Sequence, residues 1–125
     1  EIVIKRTKNL HRFIGQLDPN KYRTDFKLNG SSNYAFNLIL KKPDNSFVER
    51  LMAKMNESGI EYRRGSAGGG NQTRQPYIKK LLPENSYLNF PETEHIHFFG
   101  FYIGNFPDLN NNDIDEICNI LNSVE

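Results

Sequence analysis

Cysteine is almost absent from this 125-residue chain, in which Cys118 is the single thiol. One thiol excludes an internal disulfide framework and any metal site built from several cysteines. No apolar run approaches the ~20 residues that a membrane-spanning helix needs, and the first residues lack the layout of a signal peptide. We therefore expect no membrane contact. A single thiol is compatible with a reducing compartment, and we expect a cytoplasmic protein.

An excess of one charge is also lacking. Lys and Arg total 16 against 15 Asp and Glu, which leaves a net charge of +1. General nucleic-acid binding needs a dominant basic face, so we expect no nucleic-acid partner. The length fits a single domain, residues 1–125, that can fold without a metal. Its first residues, Glu1 to Ile4, resemble the middle of an element, which predicts a fragment of a longer protein.

The spacing of apolar residues predicts five helical segments. They are expected at about residues 1–17, from a Ser46 cap to Gly59, at 76–82, at 91–98 and from an Asn110 cap to the end. Glu49 and Asp113 stand where a capping box would complete the Ser46 and Asn110 caps. Cys118 lies on the apolar stripe of the last helix, which predicts an inert core thiol.

Alternating apolar residues predict three short strands, at residues 34–40, 60–63 and 101–103. Tyr34 is expected to pack on the same face as Phe36 and Leu38. The aromatic residues from Phe98 to Phe106 are expected to lie mostly in the core. Since helices and strands interleave, the predicted fold class is α+β, a small sheet covered by helices.

One stretch is rich in glycine and arginine: RRGSAGGGNQTRQPY, residues 63–77, called the glycine–arginine loop below. Its composition alone is also that of a flexible linker. It joins a predicted strand to a predicted helix start, however, and such a loop can bring backbone N–H groups to an anion. The Walker and dinucleotide-binding spacings are both absent. Arginine binds phosphate or carboxylate in a bidentate manner, which favours an anion-binding role.

His95 and His97, with Glu92 and Glu94 nearby, raise the possibility of a metal site. Residues two apart diverge on a helix, so hydrogen-bonded or solvated histidines are the favoured interpretation, and we expect no metal. His11 lies outside the apolar stripe of the first helix and is expected to be exposed.

Two segments resemble a known family: SGIEYRRGSAGGGNQTRQPY and FPETEHIHFFGFYIGNFPDLNNNDIDEICNIL, residues 58–77 and 90–121. The most specific parts are the G-N-x-x-R-Q-P pattern from Gly70 to Pro76 and the G-F-Y-I-G-N-F-P run from Gly100 to Pro107. Here the chain resembles the C-terminal small domain of pyridoxal-phosphate-dependent sugar-nucleotide aminotransferases and dehydratases, which share the aspartate-aminotransferase fold (type I). The resemblance is strongest to the branch typified by GDP-4-keto-6-deoxymannose 3-dehydratase.

The resemblance implies a homodimeric parent enzyme of deoxysugar or O-antigen biosynthesis. A missing N-terminal large domain would carry pyridoxal 5'-phosphate or pyridoxamine 5'-phosphate and the catalytic Lys or His. The substrates would be a sugar nucleotide and glutamate. The fragment itself would hold no catalytic residue, bind no cofactor alone and be inactive.

The same resemblance implies a substrate-binding role for six residues of the glycine–arginine loop. They are Arg63, Arg64, Gly70, Asn71, Gln72 and Arg74. Two alternatives stay open: an aminotransferase of the same family, and a non-catalytic module that binds a phosphate or a sugar nucleotide.

Overall fold

A three-stranded antiparallel sheet organises the fold, and its middle strand is the last in the chain. The computed structural model describes residues 1–67 and 70–125. Strands β1 (Ala35–Ile39) and β2 (Tyr62–Arg64) both pair with β3 (Gly100–Gly104), in the order β1-β3-β2. Ile103 pairs with Phe36 on one side and with Tyr62 on the other. The three predicted strands are confirmed, and the first two are shorter than predicted.

Five α-helices and two short 3-10 helices complete the described fold, so the predicted α+β class is confirmed. The α-helices are α1 (Ile2–Gln16), α2 (Asn45–Glu57), α3 (Pro76–Lys79), α4 (Pro91–Phe99) and α5 (Asn111–Asn122). The 3-10 helices are Gln72–Arg74 and Ser86–Asn89. No helix of residues 1–67 and 70–125 is both long and apolar enough to cross a membrane.

The hydrophobic core forms between the sheet and helices α1, α2 and α5. Phe13 of α1 stacks on Phe36 of β1 with ring centroids 4.4 Å apart, and both side chains are fully buried. Cys118 of α5 is also fully buried, and burial raises the pKa of its thiol to about 12. Removing this apolar surface from water is the main force that holds the helices on the sheet. The predicted core position of Cys118 is confirmed.

Helix ends confirm one predicted cap and correct another. Asn110 Oδ1 accepts from the Asp113 N–H at 3.0 Å, and Asp113 Oδ2 accepts from the Asn110 N–H at 2.9 Å, which completes the predicted capping box. The predicted Ser46 cap is wrong, because Asp44 caps α2 through the Phe47 N–H at 3.0 Å. Ser46 instead donates to that carboxylate, which leaves Glu49 outside any capping box.

Gly59 ends α2 as predicted, in the left-handed conformation at φ +72°. Its N–H bonds to the Asn56 carbonyl at 3.3 Å, and the Ile60 N–H bonds to the Met55 carbonyl at 2.9 Å. This pair of bonds is the Schellman arrangement, in which a glycine after the helix satisfies the last carbonyls.

Two predictions, one about Tyr34 and one about the length of α3, are wrong. Tyr34 is 64% exposed, because it precedes β1 and does not follow its alternation. Helix α3 ends at Lys79, so Leu81 lies beyond it and is 81% exposed. The aromatic residues from Phe98 to Phe106 lie in the core only in part, since Phe101 is buried whereas Phe98 and Phe106 are exposed. The apolar surface of these exposed residues lies outside the contacts that the three core helices provide.

A cluster of buried asparagines, which the periodicity of apolar residues did not predict, joins α1 to the end of β3. Asn105 donates to the backbone carbonyls of Arg6 and Asn33, both at 2.8 Å. Asn9 donates to Asn105 Oδ1 at 3.2 Å. Since each buried amide has partners, the cluster fixes the position of α1 without a buried unpaired donor.

Candidate functional site: the glycine–arginine loop

The glycine–arginine loop leaves β2 and packs directly against the C-terminal half of α4. The Gly65 N–H bonds to the Gly100 carbonyl at 2.5 Å. A Cβ atom on Gly65 would lie 2.0 Å from the Ile96 carbonyl oxygen, well inside van der Waals contact. Glycine at position 65 therefore permits a close backbone approach between the loop and α4.

Gly70 is the second glycine of the loop with a steric role. Its backbone is in the left-handed region at φ +50°, and a Cβ there would lie 2.3 Å from His97 Nδ1. The residue thus provides both an unusual conformation and space for the His97 ring. Gly68 and Gly69, to which the predicted anion-binding loop extends, lie outside the described residues.

Asn71 is the centre of a polar network under the loop, and it is only 1% exposed. Its backbone N–H donates to His97 Nδ1 at 2.9 Å, and its side-chain Nδ2 donates to Glu94 Oε2 at 2.7 Å. Its Oδ1 accepts from the Thr73 N–H at 3.2 Å and from the Thr73 hydroxyl at 2.7 Å. Every polar side-chain atom of Asn71 is engaged inside the protein, so its evident role is to fix the loop.

Arg74 is also engaged, in an ion pair flanked by aromatic rings. Its Nε donates to Glu94 Oε1 at 2.6 Å. Its guanidinium carbon lies 3.9 Å from the centroid of the Tyr87 ring and 5.0 Å from that of Phe98. The hydrogen bond from Arg74 holds the pKa of Glu94 below its usual range, and the same bond raises the pKa of Arg74.

Arg64 points towards the same aromatic region from β2. One terminal nitrogen donates to the Phe98 carbonyl at 2.7 Å, and the guanidinium carbon lies 5.1 Å from the Phe101 ring centroid. Its Nε is buried without a hydrogen-bond partner among the described residues. Arg64 and Arg74 therefore meet at Phe98.

Arg63 points the other way, because successive side chains of a strand alternate between faces. It is exposed and borders an open groove of about 910 Å³, together with Tyr34, Tyr102 and Phe106. Tyr102 is its cross-strand neighbour on β3. The structure does not bring Arg63 together with Arg64 and Arg74, so the three arginines do not surround one common point.

Gln72 is exposed at the start of the 3-10 helix, where its Oε1 accepts a hydrogen bond from the Tyr77 hydroxyl. Several backbone donors of the loop are already used by the protein. The Gly65, Asn71, Thr73 and Arg74 N–H groups all have protein acceptors. Over residues 1–67 and 70–125, Arg63 and Arg64 have no carboxylate oxygen within 4.0 Å. Of the three arginines of the loop, Arg63 and Arg64 are thus the two without a carboxylate partner, and Arg64 already donates to the Phe98 carbonyl.

Sequence reasoning missed the part that α4 plays in this site. Glu94 and His97 are three residues apart, which places both on one face of a helix. That spacing is the sequence signal for their shared role in holding the loop, whereas from the sequence alone we interpret them only as possible metal ligands. His95 points elsewhere, since its Nε2 lies 2.6 Å from the Leu40 carbonyl oxygen. The described part of the chain contains no cluster of three or more His, Cys, Asp or Glu side chains arranged to hold a metal.

Comparison with solved structures reveals the same fold in larger enzymes. The E. coli GDP-4-keto-6-deoxy-D-mannose-3-dehydratase with bound hydrated PLP matches with a TM-score of 0.78 and 23% identity, over 96% of this chain. A GDP-4-keto-6-deoxymannose-3-dehydratase with a trapped PLP-glutamate geminal diamine matches with a TM-score of 0.75 and 22% identity, over 95% of this chain. The chain therefore has the same fold as one part of each of those enzymes, about 31% of its length.

A third match has a different described activity. Spr1654 of Streptococcus pneumoniae, described as a sugar aminotransferase and solved in its PMP form, matches with a TM-score of 0.75 and 12% identity over 98% of this chain. The chain spans only 30% or 31% of the length of these three structures. No protein-family model and no curated protein matches the chain. Both dehydratase and aminotransferase structures therefore contain the predicted fold.

Proposed function

We propose that this chain is the C-terminal small domain of a pyridoxal-phosphate-dependent sugar-nucleotide enzyme. The fold match over 95–98% of the chain carries the proposal, because it covers nearly the whole of this small domain. The chain covers about 30% of those structures, which leaves room in the parent for a large N-terminal domain. That parent would be a homodimer with its active site at the subunit interface.

The cofactor would be held by the large domain. A lysine that forms a Schiff base works in a desolvated position, whereas no lysine of the described residues is buried. Lys21, for example, donates to the backbone carbonyls of Asn122 and Val124. None of the lysines of the described residues is therefore given a cofactor role in this proposal.

The glycine–arginine loop would face the sugar nucleotide. Arg63 and Arg64 have positive charges without a carboxylate partner in the described chain, and a guanidinium matches the geometry of phosphate. Gln72 is exposed and offers an amide. Gly70, Asn71 and Arg74 would act by holding the loop in place, since they contact α4 and its neighbours.

The reaction would be removal of the C3 hydroxyl from a GDP-linked 4-keto-6-deoxy sugar. The alternative is amino transfer to such a sugar, which the match to Spr1654 favours equally. Mass spectrometry separates the two. The intact protein that carries this chain would be incubated with pyridoxal phosphate, glutamate and the keto sugar nucleotide. A product that has lost the hydroxyl indicates a dehydratase, and one that has gained an amino group indicates an aminotransferase. No product from GDP- or CDP-linked sugars would contradict both.

A non-catalytic binding module is the second candidate function. Arg63 and Arg64, which have no carboxylate partner in the described chain, favour it because they could bind a phosphate without a cofactor. Calorimetric titration of the 125-residue chain alone with GDP and CDP sugars tests this. Micromolar binding by the chain alone would favour the module, because the proposed enzyme needs its large domain and a second subunit to complete the site.

A further inference from the structure

The bond between Asn71 and His97 has a defined proton requirement. The donor is a backbone N–H, which cannot accept a hydrogen bond, so His97 Nδ1 must provide a lone pair at 2.9 Å. Only an imidazole without a proton on Nδ1 can do so. A protonated ring would direct a second N–H towards the first, and the bond would be lost.

We propose that His97 is a pH-sensitive positioning residue: in its neutral form it helps to hold Asn71 and the residues up to Pro76 against α4, and its protonation weakens that contact. The steric fit of the loop supports this role. Gly70 leaves room for the ring, since a Cβ there would lie 2.3 Å from Nδ1. The claim about loop position is independent of the proposed function, while any consequence for ligand binding depends on it.

The surroundings of His97 favour the neutral ring at neutral pH. Burial lowers the pKa of His97, the nearby Glu94 carboxylate on the same helix opposes this, and Arg74 and Arg64 on the facing elements lower the pKa further. Phe98 packs edge-on against the ring with centroids 4.7 Å apart. Glu94 is itself engaged by Arg74 and Asn71, which leaves less of its charge to stabilise an imidazolium.

The direction of the pH effect follows from the lowered pKa. When residues 70–76 contact α4, the pKa of His97 is lowered, so the ring binds a proton less readily than when those residues are detached. The contribution of His97 to this contact is therefore complete above about 6.5, the usual histidine pKa, and is lost as the pH falls through the lowered pKa. Residues 70–76 are therefore held more firmly at neutral pH than in mild acid.

Two substitutions separate this proposal from a purely structural role. In His97→Asn, the amide Oδ1 stands where Nδ1 stands and accepts a hydrogen bond but does not titrate. In His97→Leu, the acceptor is lost and the Asn71 N–H is left without a partner. Hydrogen–deuterium exchange of peptides from residues 70–76, measured on the intact protein from about pH 5 to about pH 7.5 and corrected for intrinsic rates, reports loop closure directly.

We expect the wild-type peptide to lose protection on the order of fivefold between the ends of that range, the size of one hydrogen bond. His97→Asn should keep its protection at every pH, and His97→Leu should show the same roughly fivefold lower protection at every pH. The same pH-dependent loss in His97→Asn, or full protection in His97→Leu, would overturn the proposal. Because no ligand is added, the result stands whether or not the proposed enzyme activity is found.

Discussion

The core and the segment that begins within the glycine–arginine loop and runs to the end of α4 are held in place by different forces. The core lies between the sheet and helices α1, α2 and α5, and most of the buried apolar side chains of the described residues belong to these elements. The segment from Gln72 to Phe99, called the arm here, contains no buried residue. It nevertheless contains seven of the twelve exposed large hydrophobic side chains: Tyr77, Leu81, Leu82, Leu88, Phe90, Ile96 and Phe98.

The difference shows where this domain can respond to a ligand or a partner. The core is stabilised by apolar burial, which costs several kcal/mol to disrupt at any one site. The arm is joined to the rest of the domain by polar contacts such as Asn71 to Glu94 and Arg64 to the Phe98 carbonyl. Segments with few buried apolar contacts open locally at low free energy. The arm should therefore open without unfolding of the core.

The largest effect is expected from Phe13→Ala in the core. It removes a fully buried ring that stacks on Phe36 and should lower the free energy of unfolding by about 3–5 kcal/mol. Denaturant unfolding of the intact protein measures it. Glu49→Ala, at an exposed position of α2, is the control and should change stability by less than about 0.5 kcal/mol. Similar values for both variants would contradict the assignment of the core.

A smaller effect is expected where the core and the arm meet. Gly65→Ala places a methyl group 2.0 Å from the Ile96 carbonyl oxygen, so the loop must move away from α4 at a cost of about 1–3 kcal/mol. Gly15→Ala is the matched control, since no atom lies within 4 Å of its added Cβ and helix propensity favours alanine by roughly 0.5–1 kcal/mol. Unfolding that is unchanged by Gly65→Ala would show that the close contact is absent.

Within the arm, the pair of Arg74 and Glu94 should be coupled by about 1 kcal/mol, because both side chains are partly screened by solvent. A double-mutant cycle of Arg74→Met and Glu94→Gln measures this, with exchange protection of residues 70–76 as the readout. Protection in α5 is the control and should not change. A coupling near zero, or an equal loss in α5, would contradict a locally held arm.

Acid should reproduce part of the effect of Glu94→Gln. The pKa of Glu94 is held below its usual range by Arg74, so its contribution is complete above the usual carboxylate pKa of about 4.3 and is lost as the pH falls through the lowered value. Exchange protection of the loop in a pH series measures this, and the loss should not exceed that of Glu94→Gln. A Glu94→Gln protein with the same acid transition as the wild type would assign the transition to another group.

Local patterns predicted most of the elements, because the signals lie within a few residues of each other. The box of Asn110 and Asp113 and the strand between Gly100 and Gly104 are of this kind. The Ser46 cap failed because two acceptors stand close together, and the carboxylate of Asp44 was the one used. Choosing between neighbouring caps requires backbone angles that residue types alone do not specify.

The candidate site was predicted only in part, because it is assembled across the chain. Asn71 meets Glu94 and His97 over separations of 23 and 26 residues, and no pattern links those positions. The divergence of Arg63 from Arg64 follows from strand alternation and could have been predicted. The engagement of Arg74 by Glu94 and Tyr87 could not, since it depends on how the arm folds back.

The most direct test of the account asks whether a sugar nucleotide contacts the glycine–arginine loop. Hydrogen–deuterium exchange of the intact protein, with and without a GDP-linked 4-keto-6-deoxy sugar, measures this for residues 63–77 as a whole. We predict that the ligand slows exchange in that segment and leaves α5 (Asn111–Asn122) unchanged. Ligand protection elsewhere in the protein, with no change in residues 63–77, would contradict the proposed substrate-facing role of the loop.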